Sequence, residues 1–245
     1  MKYQFDLIKN IDLKNEFSWK GKIFLTFDVD WASDEVWNYC LKILEDHDIP
    51  ATWFITHESP LINRILENEN FDVGIHPNFN SLLENKNKNT AGKIIDDLRN
   101  LIPSTNILRS HSLFQSERFL DLFKEKGYTK IANAFLPLNK NQIIAPFKLW
   151  DDVIILPHCW QDNVSLKMKL NLPNVETLPQ LIILNFHPIH VFLNTENIIR
   201  YENTRQYHQD FSELKKYIND GYGVRNILLE IIKKNYEKYR YNRKM

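Results

Sequence analysis

Carboxylates and histidines stand directly after the short apolar runs of this sequence. Asp28 and Asp30 follow the run Lys22–Phe27, and His76 follows the run 72–75. Six of the eight histidines occupy positions of this kind. The further polar residues at such ends are His57, Arg109, His111, His158, Asp162, His187 and His190. A carboxylate with neutral imidazoles suits zinc or a similar divalent ion that keeps an open position for water.

A second carboxylate and a second histidine beside such an ion could serve as base and acid, so the residues alone indicate metal-assisted hydrolysis. Each position also has an ordinary structural interpretation. A single histidine near a strand end is more often a hydrogen-bonded structural group, and Asp-x-Asp is often a turn or a cap. Their repetition in order along the chain favours the functional interpretation. Trp160 is as consistent with core packing as with stacking on a sugar.

The apolar runs predict strands that alternate with amphipathic helices. Ser33 is the expected N-cap of the first helix, and Pro50 its expected end. Gly127 suits a left-handed helix cap. The predicted strands are 22–27, 51–56, 72–75, 107–108, 130–134, 153–156 and 181–186, and the later helices are 92–102, 115–126 and about 223–240. This alternation predicts an α/β fold with a parallel sheet or barrel, whose chemistry gathers beyond the carboxyl ends of the strands.

The composition excludes several classes of protein. Thirty-one basic residues balance thirty-one acidic ones, so no basic field indicates a nucleic-acid partner. No apolar run has the length of a membrane span or a signal peptide, which predicts no membrane insertion and a cytoplasmic location. Cys40 and Cys159 have no metal-binding spacing and fit a reducing compartment. Residues 84–90 form a polar loop, and no linker divides the chain, which predicts a single domain over residues 1–245.

Three motifs together resemble a known family. Leu25-Thr-Phe-Asp-Val-Asp30, Ile49-Pro-Ala-Thr-Trp-Phe-Ile55 and Gly74-Ile-His76 resemble the start of the NodB homology domain of the polysaccharide deacetylases, carbohydrate esterase family four. Arg109 is placed like the arginine of a later motif, and Asn185-Phe-His-Pro-Ile-His190 is similar to the last one. The combination resembles the WbmS-like subgroup, which occurs near O-antigen and capsule genes. The resemblance runs from about residue 22 to residue 194.

The resemblance implies a fold and a division of roles. The fold would be a distorted (β/α)7 barrel. Asp28 would be the general base, with Arg109 holding it ionised, and His187 would be the general acid. Asp30 and His76 would be metal ligands. The predicted substrate-binding residues are His158, Trp160, Asp162 and His190.

One position departs from the family pattern. The second family motif is His-x-x-x-His, and position 80 here is Asn80, a poor zinc ligand beside imidazole. His111 could replace it as third ligand, and His57 is a weaker alternative. His190 lies three residues after His187, and on an extended segment this odd spacing would point the two to opposite faces. Pro188 limits that inference.

The predicted activity is removal of an N-acyl group, expected to be acetyl, from an amino sugar during assembly of O-antigen or capsule. The substrate could be a nucleotide-linked sugar, a lipid-linked sugar or an oligosaccharide. The expected cofactor is a divalent metal ion, with zinc as the preferred candidate. Two alternatives are an amide hydrolase or deformylase with a non-sugar substrate, and a non-catalytic carbohydrate-binding relative. The presence of Asp28, Arg109 and His187 argues against the binding module, which has no need of a base and an acid.

Overall fold

The protein folds around one largely parallel sheet. A computed structural model describes residues 4–83, 90–138, 143–149, 152–170 and 180–242, so residues 84–89 of the predicted polar loop lie outside the described residues. The strands are β1 (Gln4–Phe5), β2 (Lys22–Asp28), β3 (Ala51–Ile55), β4 (Phe71–Ile75), β5 (Ile107–Leu108), β6 (Lys130–Ile131), β7 (Phe147–Lys148), β8 (Ile154–Ile155), β9 (Trp160–Gln161) and β10 (Ile182–Phe186). Their order is β7-β8-β6-β5-β4-β3-β2-β10-β9, and β1 also pairs with β2. Only the β7–β8 pair is antiparallel among these strands.

Helices connect the strands and cover the sheet. They are α1 (Asp34–Glu45), α2 (Leu61–Glu67), α3 (Asn80–Leu83), α4 (Ala91–Leu101), α5 (Glu117–Glu125), α6 (Asp162–Met168), α7 (Pro188–Leu193), α8 (Ile198–Thr204), α9 (Phe211–Leu214) and α10 (Val224–Asn242). Helix α7 packs against both α1 and α10. Across the described residues, every helix is too short or too polar to span a lipid bilayer.

The central strands form because their residues are apolar on both faces, as a parallel sheet covered by helices requires. In β2 every residue after Lys22 is buried, and all of β3 is buried. Helix α1 buries residues at helical spacing: Val36, Trp37, Cys40, Leu41 and Leu44. The predicted strands 130–134 and 153–156 are each two residues long in the structure.

The first helix ends earlier than its sequence predicts. It stops at Glu45 rather than at Pro50, because Asp48 adopts a left-handed conformation with φ of 53°. The Ile49 N–H then donates to the Leu44 carbonyl at the end of the helix, at 3.0 Å. Ser33 holds the predicted N-cap position, but its hydroxyl makes no capping bond. The left-handed cap predicted at Gly127 is confirmed, with φ of 85°.

The segment just before β9 bonds to two distant parts of the curled sheet. The His158 N–H donates to the Ala134 carbonyl, just beyond β6, at 2.9 Å. The next residue, Cys159, donates its N–H to the Ile183 carbonyl of β10, also at 2.9 Å. These adjacent residues thus bond to parts of the sheet that lie far apart in the strand order, which holds the sheet in its curled form. The carboxyl ends of β2, β4, β5, β9 and β10 consequently face one common space.

Candidate active site

Five of the residues singled out by their position in the sequence meet at the carboxyl end of the sheet. A small cavity of about 70 Å³ is lined by Asp28, Asp30, His76, His111 and His187, together with Ser110, Ser112, Leu113, Gln161 and Asn163. They arrive from β2, β4, β5 and β10, which are separate in sequence. Parallel strands bring them together because all of these strands end at the same edge of the sheet.

Asp30, His76 and His111 form a candidate metal centre. Their potential ligand atoms all lie within 4.8 Å of one another. Asp30 Oδ1 is 3.2 Å from His76 Nε2 and 3.1 Å from His111 Nδ1. Burial raises the pKa of Asp30, but hydrogen bonds from the two histidines outweigh burial and lower it well below its usual value. A carboxylate and two imidazoles that converge in this way fit a divalent ion with an open position.

The position that departs from the family pattern lies at the start of α3. The Asn80 backbone N–H donates to the Asn78 side chain at 2.9 Å, and Asn80 is not among the residues that line the small cavity. His111 does line it, in the irregular turn after β5. The structure therefore brings His111 to the candidate centre, while His57 bonds to Thr56 at 2.8 Å.

Asp28 sits at the end of β2 in a buried network of hydrogen bonds. Arg109 Nη1 donates to Asp28 Oδ1 at 2.9 Å, and Asn185 Nδ2 donates to Asp28 Oδ2 at 2.7 Å. Arg109 Nη1 also reaches Thr26 Oγ1 at 3.0 Å and Asn185 Oδ1 at 2.5 Å. Burial raises the pKa of Asp28, but Arg109 and two histidines outweigh it and bring the pKa to about 2. Asp28 is therefore ionised at neutral pH.

Arg109 is itself fully buried and tightly held. Its guanidinium lies over the ring of Phe54, with 4.3 Å between Cζ and the ring centroid. Its Nε donates to the Ala132 carbonyl at 3.1 Å. Burial of a cation is costly unless it is paired, and the Asp28 carboxylate supplies the pair.

His187 is paired with Asp162 on the other side of the cavity. His187 Nδ1 is 2.5 Å from Asp162 Oδ1, and the His187 backbone N–H donates to Asp162 Oδ2 at 2.7 Å. Burial lowers the pKa of His187, but Asp162, Asp30 and Asp28 raise it to about 10. The other ring nitrogen, Nε2, faces two carboxylates, 3.8 Å from that of Asp28 and 3.5 Å from that of Asp30. His187 is thus protonated at neutral pH and aimed at the centre of the site.

Asp162 therefore has a different place from the one predicted. The sequence predicts that Asp162 binds substrate, but its side chain is fully buried against His187. The pairing of β9 with β10 brings the start of α6 next to that histidine. The sequence interpretation treated residues 153–162 as one strand and its tail. The structure divides them between β8 and β9, which lie at opposite ends of the sheet order.

His190 lies on the same side as His187. The segment after His187 is helix α7 and not an extended chain, so the predicted opposite orientation is wrong. A spacing of three residues on a helix places side chains on one face, and the two rings are 5.7 Å apart. Burial lowers the pKa of His190 to about 4, so it is neutral. It lines the outer cleft described below, and its ring packs against that of Tyr201 with 4.9 Å between the ring centroids.

Trp160 and His158, predicted to bind substrate, are buried away from the small cavity. Trp160 is 2% exposed and packs on Phe186 with 5.0 Å between ring centroids. His158 is fully buried, bonds to Gln161 at 2.8 Å, and has a pKa lowered to about 3 by burial and by Arg109. Neither side chain lines the small cavity, and Trp160 instead lines a separate cavity of about 290 Å³ together with Asp162. A substrate contact for Trp160 and His158 stays a prediction.

Two further residues of the site carried no assigned role in the sequence interpretation. Thr26 and Asn185 complete the network around Asp28 and Arg109, and their side chains bond to each other at 2.8 Å. Asn185 stands within the last motif, two residues before His187, so its position was a usable signal. Thr26 was hidden inside an apolar strand. Its polar role follows only from the pairing of β2 with β10, which places Thr26 beside Asn185.

A wider cleft opens outward from the small cavity. It has a volume of about 450 Å³ and shares Asp30, His111, Ser112, Asn163 and His187 with the small cavity. Its outer walls come from the loop after β2 and from the segment that contains α8. The outer lining residues include Trp31, Lys167, His190, Tyr201, Arg205, His208 and Gln209.

A family model and a solved structure each match most of this chain. A family model described as WbmS-like polysaccharide deacetylase matches residues 25–205. A crystal structure from Bordetella bronchiseptica, described as a candidate polysaccharide deacetylase (WbmS) involved in O-antigen biosynthesis, is 34% identical, covers 94% of this chain and 98% of its own, and superposes with a TM-score of 0.91. A candidate polysaccharide deacetylase from Mycobacterium smegmatis is 13% identical over 96% of both chains, with a TM-score of 0.44. No curated protein matches the sequence at a significant level.

The fold is that of the NodB-type deacetylases, a curled α/β half-barrel, which confirms the predicted fold class. A fold and a site of this kind define a hydrolase of carbon–nitrogen bonds other than peptide bonds. The chain belongs to the WbmS-like polysaccharide deacetylase family.

Proposed function

We propose that this protein is a metal-dependent deacetylase that removes an acetyl group from the nitrogen of an amino sugar during assembly of O-antigen or capsule. The observation that carries the proposal is the convergence of three side chains, Asp30, His76 and His111, between an ionised carboxylate and a protonated histidine. The Bordetella relative, described as involved in O-antigen biosynthesis, supports the biological setting.

Asp28 is placed to receive the proton of the attacking water. Its carboxylate is ionised, and Arg109 and Asn185 occupy one lone pair on each of its oxygens. The two bonds fix the orientation of the carboxylate, so a water on the cavity side finds a preorganised acceptor. A pKa of about 2 makes Asp28 a weak base on its own. Lewis-acid help with the water is therefore consistent with this arrangement.

His187 is placed to give a proton to the leaving amine. Its raised pKa keeps it protonated at neutral pH, and Asp162 binds Nδ1 so that Nε2 carries the proton into the cavity. As water adds to the acyl carbon, Asp28 takes one proton. The carbon–nitrogen bond then breaks and the nitrogen receives the proton from His187. The products are acetate and a free amino sugar.

The metal would be held by Asp30, His76 and His111, and zinc fits this donor set best. When bound, such an ion polarises the acyl carbonyl and lowers the pKa of a water. The buried Nδ1 of His76 has no hydrogen-bond partner among the described residues, so the imidazole is not committed elsewhere through that atom. We also propose a cytoplasmic location, which fits a substrate carried on a nucleotide or a lipid.

The proposal is tested by metal content and by acetate release. Protein purified without chelators is expected to hold about one equivalent of divalent metal per chain, measured by elemental analysis. It should release acetate from at least one member of a panel of N-acetylated sugars, which comprises a nucleotide sugar, a lipid-linked sugar and an oligosaccharide. Removal of metal should abolish release, and zinc should restore it. Failure to bind metal after reconstitution, or release that a chelator leaves unchanged, would contradict the proposal.

A further inference from the structure

Trp31 is a large apolar side chain that the structure leaves open to solvent beside the candidate metal centre. It is 39% exposed, and it lines the outer cleft. The other tryptophans in the described ranges are all buried: Trp19, Trp37, Trp53 and Trp160. A tryptophan on the surface of a polar cleft leaves an apolar face unburied, and such a face is typical of a binding surface.

The backbone holds Trp31 in this position against its own preference. Asp30 and Trp31 have φ angles of 46° and 57°, in the left-handed region that side chains other than glycine disfavour. Two hydrogen bonds secure the turn: the Trp31 N–H donates to Thr56 Oγ1 at 3.2 Å, and Gln209 donates to the Trp31 carbonyl at 2.6 Å. Non-glycine residues in strained conformations concentrate at functional sites.

Because of this turn, the consecutive side chains of Asp30 and Trp31 contact different groups. The Asp30 carboxylate points to His76 and His111, while the Trp31 indole stands edge-on to His111 with 5.2 Å between ring centroids. The indole is therefore the apolar surface adjoining the candidate metal centre. Gln209, which anchors the turn, also lines the outer cleft, so the turn is tied to the segment after α8.

Most of the remaining lining of the cleft is polar, and it includes Tyr201, Arg205, His208 and Gln209. The volume of the cleft, about 450 Å³, lies within the range of small-molecule sites. A pyranose ring has an apolar face of C–H groups and a rim of hydroxyl groups. An aromatic face in the same cleft as hydrogen-bonding side chains matches that pattern, whereas a fully apolar ligand would leave those polar side chains without partners.

We propose that Trp31 is the platform on which the sugar ring of the substrate stacks, with its acylamino group directed to Asp30, His76 and His111. The inference rests on the proposed function and names its substrate class as a pyranose whose face packs on the indole. Trp31 thereby takes the stacking role that the sequence had suggested for Trp160, which is buried.

Three variants test the platform. Trp31→Phe keeps a flat ring, Trp31→Leu keeps apolar bulk without one, and Phe17→Leu changes an exposed aromatic residue (86% exposed) that precedes β2, at the end of the sheet away from the site. With the most active sugar of the panel, Trp31→Leu should raise KM about tenfold, with kcat within about threefold of the original. Trp31→Phe should retain most of the affinity, and Phe17→Leu should change nothing. Metal content should be equal in all variants.

A second readout does not need turnover. N-acetylglucosamine titrated into the unaltered protein should change tryptophan fluorescence, and that change should be lost in Trp31→Leu and Trp31→Phe, which lack the exposed indole. If the unaltered protein releases acetate but KM is the same in Trp31→Leu, or if Leu and Phe behave alike in KM, the platform is overturned while the proposed function stands. If no sugar in the panel is deacetylated, the proposed function itself fails.

Discussion

Two carboxylates separated by one residue face different partners in this site. Asp28 ends a strand and bonds to Arg109 and Asn185, while Asp30 follows in a left-handed turn and meets two histidines. The change in backbone conformation between them therefore separates the proposed proton acceptor from the proposed metal ligand. The same reasoning applies across the cavity, where Asp162 converts His187 from an ordinary histidine into a protonated one.

Substitutions at the two carboxylates should have different effects. Asp28→Asn should lower kcat by roughly 10²–10⁴-fold and leave metal content unchanged, because it removes the proton acceptor but no ligand. Asp30→Ala should lose both activity and metal. Acetate release and elemental analysis on the same preparations check this. Equal loss of metal in the two variants would show that the assigned roles are wrong.

The third ligand can be assigned by a matched pair of variants. His111→Ala should weaken zinc binding strongly, since an imidazole is a far better zinc ligand than water or an amide. Asn80→Ala should leave the zinc affinity nearly unchanged. Competition with a chromophoric chelator measures both affinities. A strong loss in Asn80→Ala with none in His111→Ala would return the ligand to the position that the family pattern assigns.

The pairing of Asp162 with His187 predicts a shift in pH dependence. The pKa of His187 is raised mainly by Asp162 against the effect of burial, so Asp162→Asn should lower that pKa. His187 would then lose its proton at a lower pH, and the basic limb of the kcat profile should move to lower pH. Activity of the variant should recover partly on acidification. A profile that is merely scaled down, with both limbs in place, would indicate that Asp162 does not act through the acid.

At the scale of elements, the ring of Phe54 in β3 packs closely against the backbone of Gly74 in β4. A Cβ at Gly74 would lie 2.7 Å from the ring of Phe54 and 3.1 Å from the Ile107 carbonyl. That ring in turn supports the guanidinium of Arg109. Glycine is therefore needed at this position because there is no room for a side chain, and the space it leaves is where the Phe54 ring sits.

Gly74→Ala should destabilise the protein by about 1–3 kcal/mol, the usual cost of overpacking a core. Alanine otherwise favours a strand over glycine by about 0.5–1 kcal/mol, so the steric conflict must exceed that gain. The variant should also lower kcat, because movement of Phe54 displaces Arg109. Gly92→Ala is the control: its nearest atoms belong to a flexible lysine at 3.7 Å, and it should be neutral or stabilising. Denaturant unfolding measures both, and a neutral Gly74→Ala would contradict the steric argument.

Local patterns in the sequence predicted the central strands and the long helices, because those elements are encoded by their own residues. β2, β3 and β10 are continuous apolar runs, and α4, α5 and α10 repeat apolar residues at helical spacing. The short strand β9 and the helix α7 were missed. Both depend on distant partners: β9 exists through its pairing with β10, and α7 is packed between α1 and α10.

In the candidate site, too, some features could be predicted from the sequence and others could not. Single residues at strand ends could be named from the sequence, since a parallel fold brings strand ends together. The hydrogen-bonded pairs that these residues form could not be predicted from the sequence. The contact of Asp162 with His187, and of Asn185 with Asp28, joins residues 25 and 157 positions apart. Only the strand order decides such contacts, and a stretch of two-residue strands carries too little pattern to fix that order.

At the scale of the whole molecule, both cysteines are buried and free of disulfide bonds. Burial raises the pKa of the Cys40 thiol well above its usual value and that of Cys159 to about 12. The thiolate is the reactive form, so the native protein should react slowly with a thiol reagent at pH 8. In denaturant two thiols per chain should react at once. A thiol that titrates rapidly in the native protein would contradict the burial of its cysteine.

The order of the strands also bears on how the chain is made. β10 lies between β2 and β9, so one edge of β2 stays without its partner until residues 182–186 have left the ribosome. Until then a strand that is apolar on both faces presents unpaired N–H and carbonyl groups, which invites pairing with other chains. The sheet therefore stays incomplete until most of the chain has been synthesised. Cells that make it rapidly should need chaperones that hold the growing chain, and slower translation should improve the soluble yield.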